Sequence, residues 1–306
     1  MNDELVSVVI PTWNLKKDLG ECIDSIKSST YNCYEIIVVD NNSTDGTIEL
    51  LNESYKDVIL IRNSENLGFA AAVNKGIEKA IDLDSKFVFV LNNDAIIYPS
   101  TLTRLVEISR SISRLGIIVP KVMFYDHQDI IYSIGDKVFP LFPIPIRIGF
   151  KKKDRQKYNK IFHLDYVTGC AMLIPIETIK KVGFFNENFF MYYEDAEFCF
   201  RTKKENLKII CDGNNRVLHK VALSSKNIKA KIIRMRAKNR IIFFSRYHHG
   251  IFGFLSIPLI LFIDILKLVN MFFIKREKER GRAYLSGIIS GLKKITKRTI
   301  KRDTEI

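Results

Sequence analysis

Short apolar runs separated by polar breaks mark the first third of the chain, at residues 5–10, 35–40, 58–61 and 87–91. Each has the length of a β-strand, and Phe87-Val88-Phe89-Val90-Leu91 is apolar throughout, as in strands buried on both faces. Between the runs, Leu15, Leu19, Cys22, Ile23 and Ile26 keep helical spacing. Residues 48–55 predict a short helix and residues 69–81 an Ala-rich one. Strands alternating with helices at this spacing predict βαβ units with right-handed crossovers, and hence a mostly parallel, Rossmann-like sheet with helices on both faces. The first run stops at Pro11-Thr12-Trp13-Asn14, the second ends in Asp40 before a turn-and-cap cluster at 41–47, and the fourth breaks at Asn92-Asn93-Asp94. In a parallel sheet those three ends share one edge, where open α/β sheets bind ligands. Their convergence predicts a nucleotide-binding half-sheet.

After a helix at 102–112 and a strand at 116–123 the regularity fades. Residues 121–165 mix Pro140, Pro143 and Pro145 with the basic run Lys151-Lys152-Lys153, and read as strands and loops of an acceptor-side region. Residues 165–175 form an apolar strand interrupted by Thr168-Gly169-Cys170. Glu194 and Asp195 follow Phe189, Phe190, Tyr192 and Tyr193 and open an amphipathic helix. Acids are stabilised at a helix N-terminus by its dipole. A carboxylate walled by aromatic rings is equally how a general base has its pKa moved toward neutrality. Residues 208–211 predict a strand, with His219 beyond it; a lone histidine is more often structural than a ligand. Asn92-Asn93-Asp94 offers hard oxygen donors suited to Mg²⁺ or Mn²⁺ carrying a diphosphate, or else an ordinary turn.

Charge and composition change the picture at the C-terminus. The net charge is +14, yet residues 275–306 alone hold eleven Lys/Arg against four Asp/Glu, half of the surplus. Residues 229–246 alternate basic and apolar positions at helical spacing, and residues 250–274 are nearly all apolar. The latter are long enough to cross a bilayer, but Asp264 and Lys267 would each cost about 2.5–3.5 kcal/mol in hydrocarbon. Gly253, Ser256, Asp264, Lys267 and Asn270 fall near one helical stripe, which predicts a helix lying in the interface with this stripe toward water or the catalytic domain. The basic tail would then meet anionic headgroups; the alternative is a soluble helical hairpin. Nucleic acid is disfavoured as a partner because aromatics are not interleaved with the basic residues as stacking platforms. Five scattered cysteines without CxxC spacing read as reduced core thiols, and the acidic start with its short apolar stretch fits no signal peptide.

The ordered stretches Val6 to Asn14, Val38 to Thr47 (with Asp40-Asn41-Asn42-Ser43), Asn66-Leu67-Gly68-Phe69, Leu91-Asn92-Asn93-Asp94, Thr168-Gly169-Cys170 and Glu194-Asp195-Ala196-Glu197 resemble the family 2 glycosyltransferases of GT-A fold, and within them the rhamnosyltransferase-like branch. The resemblance runs over about residues 5–245. It implies a transferase domain at 1–245, with a nucleotide half at about 1–120 and an acceptor half at about 121–245, followed by a membrane-associating appendage at 246–306. It implies that Pro11, Thr12 and Asn14 line the base and ribose, that Asp40 bonds the base edge, and that Asn92 and Asn93 stand on the donor side. Asn66 and Gly68 approach the nucleotide and its phosphates, where a Cβ on residue 68 would obstruct. Asp94 matches the last acid of the family's metal motif and His219 a histidine that completes the site for Mn²⁺ or Mg²⁺. Asp195 matches the catalytic base, Glu194 orients the acceptor, and Thr168, Gly169 and Cys170 contact donor sugar or acceptor. The departure is Asn92, where many members carry a second acid; a neutral amide ligates more weakly, though this branch also has asparagine there.

The implied activity is inverting transfer of a sugar from a nucleotide-diphosphate donor, such as dTDP-rhamnose, to a hydroxyl. The acceptor is a glycan or lipid-linked glycan in surface polysaccharide synthesis, met at the cytoplasmic face of the membrane by a peripheral enzyme. The alternatives are a polyprenyl-phosphate glycosyltransferase, a non-catalytic sugar-nucleotide binder and a nucleic-acid binder.

Overall fold

Every side chain of β1 (Val6–Thr12) is buried, and successive ones serve different layers. Val6, Val8 and Ile10 join one hydrophobic cluster and Val9 the other, the period-2 alternation of a strand covered on both faces. The computed structural model describes residues 4–139, 142–221, 229–247 and 251–303. In chain order, β1 is followed by α1 (Lys16–Lys27), β2 (Tyr34–Asp40), α2 (Thr47–Ser54), β3 (Ile59–Arg62), α3 (Phe69–Asp82), β4 (Phe87–Leu91), β5 (Ala95–Ile97) and α4 (Thr101–Ser111). Then come β6 (Leu115–Phe124), β7 (Ile131–Ser133), β8 (Asp136–Phe139), β9 (Phe142–Arg147), β10 (Ile161–His163), β11 (Ala171–Pro175), α5 (Ile176–Val182), α6 (Glu194–Lys204) and β12 (Lys208–His219). The last helices are α7 (Lys229–Tyr247), α8 (Ile251–Val269) and α9 (Lys278–Asp303), with a π-turn at Asn270–Ile274.

The main sheet runs β10-β12-β6-β11-β4-β1-β2-β3, with β5 on β12 and β7 on β6. β4, β1, β2 and β3 are mutually parallel, so Thr12, Asp40 and Leu91 end on the same edge, as the pattern predicts. Helices α1, α2 and α4 cover one face and α3, α5 and α6 the other. This is the doubly wound, mostly parallel GT-A architecture expected from the sequence.

Two elements differ from their predicted form. The run at 165–175 becomes a strand only from Ala171, because residues 165–170 form a loop, and β11 lies antiparallel between β4 and β6. The strand predicted at 208–211 continues through a bulge between Asp212 and Arg216 as far as His219, where it also pairs with β5. A bulge admits the polar stretch Gly213-Asn214-Asn215 without ending the strand. The five cysteines are free, four of them buried.

Among the described residues the chain forms two compact units: 4–137, 146–190 and 194–221 in the first, and 138–139, 142–145, 191–193, 229–247 and 251–303 in the second. Within the second, α9 packs closely on α7 through Gly287 and Gly291; a Cβ at Gly287 would lie 2.3 Å from the Arg234 carbonyl oxygen. The polar stripe expected to face water or the catalytic domain is divided. Asp264 turns inward, where the Tyr284 hydroxyl donates to its Oδ1 (2.9 Å) and Arg240 forms an ion pair with it. Arg240 also donates to the Tyr284 oxygen (2.8 Å). An unpaired carboxylate in an apolar interior is costly, and these partners draw it in. Lys267 and Asn270 stay exposed, and the surroundings of Gly253 and Ser256 lie outside the described part. Phe262, Ile265, Leu266, Val269, Phe273 and Ile274 are exposed as well. No described helix is long and apolar enough to cross a membrane.

The seat of α3 on the sheet depends on Gly76, where an added Cβ would lie 2.2 Å from Cγ1 of the buried Val9. Gly76→Ala is expected to destabilise by about 1–3 kcal/mol through overpacking, outweighing the helix propensity gained from alanine. Urea denaturation monitored by circular dichroism measures it.

Candidate active site

The edge formed by β1, β2 and β4 carries a polar network that holds its loops open. Asn14, in the left-handed region with φ 60°, takes Thr44 N–H on its Oδ1 (2.9 Å), while its own N–H donates to Ser43 Oγ (2.7 Å). Asp40, buried at the end of β2, accepts Ser43 N–H (3.1 Å). Asn93 Nδ2 donates to Thr12 Oγ1 (2.8 Å), tying the fourth strand end to the first. Pro11 is buried in the same strand. Asn66 Oδ1 accepts Gly68 N–H (3.0 Å), and Asn41, a residue absent from the predicted set, donates from Nδ2 to Gly68 O (3.1 Å). Gly68 has φ +88°, and the obstruction expected there comes from the protein itself: a Cβ would meet Phe190 O at 2.3 Å. The same carbonyl accepts Phe69 N–H (2.7 Å).

On the far side of β4, the pairing of β12 with β5 places His219 opposite Ala95 and so beside Asp94. His219 Nε2 lies 3.1 Å from Asp94 Oδ1 and 3.3 Å from Asn92 Nδ2. Burial opposes a charge on this imidazole, but the neighbouring Cys170 sulfur and Asp94 carboxylate outweigh it and hold its pKa well above the ordinary value. One proton on Nε2 cannot serve a carboxylate and an amide N–H together. A divalent cation fits: two adjacent ligands of an octahedral ion bound at about 2.1 Å stand about 3 Å apart. Among the described residues no three His, Cys, Asp or Glu side chains are grouped to hold a metal, so Asp94 and His219 would supply two donors and leave the rest to phosphate oxygens and water, as hard cations in phosphate sites accept.

Glu194 and Asp195 open α6, both in its first turn. Asp195 Oδ2 accepts Gly169 N–H (3.1 Å) and Oδ1 accepts Ala196 N–H (2.8 Å). Burial nevertheless raises the Asp195 pKa above the ordinary carboxylate range against those donors. Glu194 is raised further, by burial and by Asp195 beside it, and its Oε2 has no hydrogen-bond partner among the described residues. Of the aromatic residues predicted to wall the pair, Phe189 is fully buried; within the second unit the Tyr192 ring lies against Arg236 and the Tyr193 ring against Phe243 of α7. Burial raises both acids, and the Asp195 carboxylate adds to the rise at Glu194.

Thr168-Gly169-Cys170 joins these two constellations. Gly169 N–H donates to the Asp195 carboxylate, and Cys170 O accepts Asn92 N–H (2.9 Å) on the side of Asp94 and His219. Thr168 is half-buried just before them. Sequence reasoning missed Asp136 and Arg147, which lie in residues that resisted placement. Asp136 is buried; burial raises its pKa, Arg147 (3.8 Å away) lowers it and Asp195 raises it, so both residues lie in the electrostatic reach of Asp195. Their only signal was charge beside apolar strand positions.

Polar side chains at the carboxyl ends of parallel strands, with paired acids beside them, mark the edge where open α/β sheets bind ligands. The chain matches the family described as Glycosyl transferase family 2 over residues 7–176, more than half its length, and belongs to that family. It is 29% identical over 210 residues to the low-salt glycan biosynthesis hexosyltransferase Agl10 of Haloferax volcanii, covering 68% of this chain and 64% of that one, so it spans less than two thirds of that relative. It is 24% identical over 268 residues to the N-acetylglucosaminyl-diphospho-decaprenol L-rhamnosyltransferase of Mycobacterium tuberculosis, covering 81% and 86%. The fold is shared with the mannosyltransferase PcManGT of Pyrobaculum calidifontis, solved with GDP-Man and Mn²⁺, at TM-score 0.58 and 16% identity over 94% of this chain and 86% of that one.

The Glu194 carboxyl makes a pH prediction. Its pKa is raised in the folded state, so the native protein binds more protons than the unfolded chain above the ordinary glutamate range, and stability falls as pH rises toward the raised value. Glu194→Gln removes this penalty. The variant is expected to match the wild type near pH 4 and to gain about 2–4 °C in Tm near pH 8, read by differential scanning fluorimetry across pH.

Proposed function

We propose that this chain is an inverting glycosyltransferase that moves a hexose, with dTDP-rhamnose as the leading donor, onto a hydroxyl of a lipid-linked glycan in surface polysaccharide synthesis. The observation that carries the reading is Asp195: a half-buried carboxylate of raised pKa, held by two backbone N–H groups beside a second, buried acid. A base poised above the ordinary carboxylate range removes a proton from a hydroxyl more effectively than an exposed acid. In the proposed step Asp195 takes the acceptor hydroxyl proton, the acceptor oxygen bonds to the anomeric carbon from the face opposite the diphosphate, and the bond from that carbon to the diphosphate oxygen breaks. Glu194 holds the acceptor sugar, with Thr168, Gly169 and Cys170 lining its approach. Pro11, Thr12, Asn14 and Asp40 receive base and ribose; Asn66, Gly68, Asn92 and Asn93 flank the phosphates. Asp94 and His219 are the residues that would hold Mn²⁺ or Mg²⁺, which when bound neutralises charge on the departing diphosphate. The mycobacterial relative, named for a diphospho-decaprenol acceptor, supports the lipid-linked assignment.

We assign transfer to residues 1–245 and membrane contact to residues 246–306, with the enzyme peripheral at the cytoplasmic face. The support is an inside-out pattern: the ionic group Arg240, Asp264 and Tyr284 is packed inward, while Phe273 and Ile274 are 77% and 72% exposed beside Lys275, Arg276 and Lys278. Exposed aliphatic and aromatic side chains flanked by cations match the chemistry of an anionic bilayer surface.

Asp195→Asn is expected to lower turnover about 10²–10⁴-fold while sparing nucleotide binding, whereas Asp94→Ala weakens the Mn²⁺-dependent Tm rise with dTDP about tenfold in apparent affinity. Thermal shifts with UDP, dTDP and GDP, each with and without Mn²⁺, together with donor turnover, separate the two; equal loss of binding in both variants refutes the division of labour.

For the membrane, the protein is expected to co-sediment with phosphatidylglycerol-containing vesicles and hardly with pure phosphatidylcholine. The exposed Phe273→Asp/Ile274→Asp pair should abolish this without changing Tm. Equal sedimentation of wild type and variant would refute the assignment.

A further inference from the structure

His219 is the last residue of β12, and beyond it the chain leaves the sheet. Lys220, the next residue, holds this strand end from two directions within the first unit. Its backbone N–H donates to Asp94 O (3.1 Å), continuing the pairing of β12 with β5 past His219. Its side chain, 7% exposed, turns back to α1, where Nζ lies 2.6 Å from Asp18 Oδ1 and 2.6 Å from Glu21 Oε2. The Tyr125 ring centroid lies 5.1 Å from the same ammonium, and Tyr125 N–H donates to His219 O (3.0 Å). The same helix also grips the segment after β4. The Cys22 thiol donates to Asn92 O (3.5 Å), and Ser25 Oγ accepts Ile97 N–H (3.2 Å). Positions 18, 21, 22 and 25 recur on one face of a helix. One rigid surface therefore takes both the segment that carries Asp94 and the strand end that carries His219.

We propose that Lys220 is a positioning residue for the Asp94–His219 pair, clamping the end of β12 to α1 and so setting the affinity for a divalent cation held by that pair. This rests on the reading of Asp94 and His219 as ligands of Mn²⁺ or Mg²⁺. Such an ion tolerates only small departures of its donors from ideal distance and angle, and a strand end is where backbone order is most easily lost. An ammonium suits the clamp because its three hydrogens can serve two carboxylates and a ring face at once. Having given up water for those partners, it cannot leave α1 cheaply. Charge alone works the other way, since a lysine next to a cation site repels the ion. Lys220 therefore favours cation binding only through geometry, and the sign of the effect of removing it separates the two. Nothing in the local sequence announces the partnership, because Asp18 and Glu21 lie 202 and 199 residues away.

The test uses the full chain and needs no turnover. Mn²⁺ binding is read from the electron paramagnetic resonance signal of the free ion, with UDP, dTDP and GDP present in turn. Lys220→Met keeps the length of the side chain and loses the clamp. It is expected to weaken Mn²⁺ binding about tenfold or more, while the Tm rise given by nucleotide without metal stays as in the wild type. Lys220→Arg, whose guanidinium still reaches carboxylates, should restore most of the loss. Unchanged or tighter Mn²⁺ binding in Lys220→Met overturns the proposal, tightening being the result that charge alone gives. Equal weakening of Mn²⁺ and of metal-free nucleotide also overturns it, because a merely structural lysine would loosen the whole sheet edge. Should Lys220→Met not fold with two acids left unpaired, the triple variant Asp18→Asn/Glu21→Gln/Lys220→Met removes all three charges and carries the same comparison. Failure of the metal reading is distinct: the wild type would then bind no Mn²⁺ with any of the nucleotides, or Asp94→Ala would bind it as the wild type does.

Discussion

The antiparallel pairing of β11 with β4 is the constraint on which the site depends. Its register sets Ala171 opposite Leu91, so the residues just before β11 stand against the residues just after β4. A parallel neighbour would have sent that end of the segment to the opposite edge of the sheet. As built, Cys170 O accepts Asn92 N–H, Cys170 lies by His219, and Gly169 N–H reaches Asp195. One dipeptide therefore spaces the Glu194–Asp195 acids from the Asp94–His219 pair, and it does so with backbone groups, which rotamer changes cannot move.

Electrostatics divides the labour between those two sides. At the N-terminus of α6, burial raises the pKa of both acids, and the Asp195 carboxylate raises that of Glu194 further. At the sheet edge, a carboxylate oxygen and an amide nitrogen both lie within 3.3 Å of the His219 Nε2. A transferase needs both conditions at once, a base ready to accept a proton and a place for charge departing on phosphate. Arg147 and Asp136, near Asp195, fix its potential further without touching it through a hydrogen bond.

The C-terminal helices follow an inverted rule. Ionic groups that water would normally solvate are gathered between α7, α8 and α9, and large apolar side chains face outward. Close contact of α7 with α9 at Gly287 and Gly291 leaves no room between them for larger residues.

Local pattern carried a good part of this protein. The βαβ order, the convergence of Thr12, Asp40 and Asn92-Asn93-Asp94 on one edge and the start of α6 at Glu194 were legible because strand and helix periodicities are local, and because short polar side chains after a buried strand have few places to go. What could not be read depended on partners distant in the chain. The direction of β11, the bulge that carries β12 on to His219, the self-obstruction of Gly68 by Phe190 and the approach of Arg147 to Asp195 are each decided by pairing across the fold. So is the inward turn of Asp264, which periodicity placed on a stripe but could not aim. Sequence alone determined which residues could do the chemistry, since side-chain type and local backbone preference are written residue by residue. Tertiary structure decided which of them meet and in what state of charge, because burial and hydrogen bonding exist only once distant strands and helices are packed.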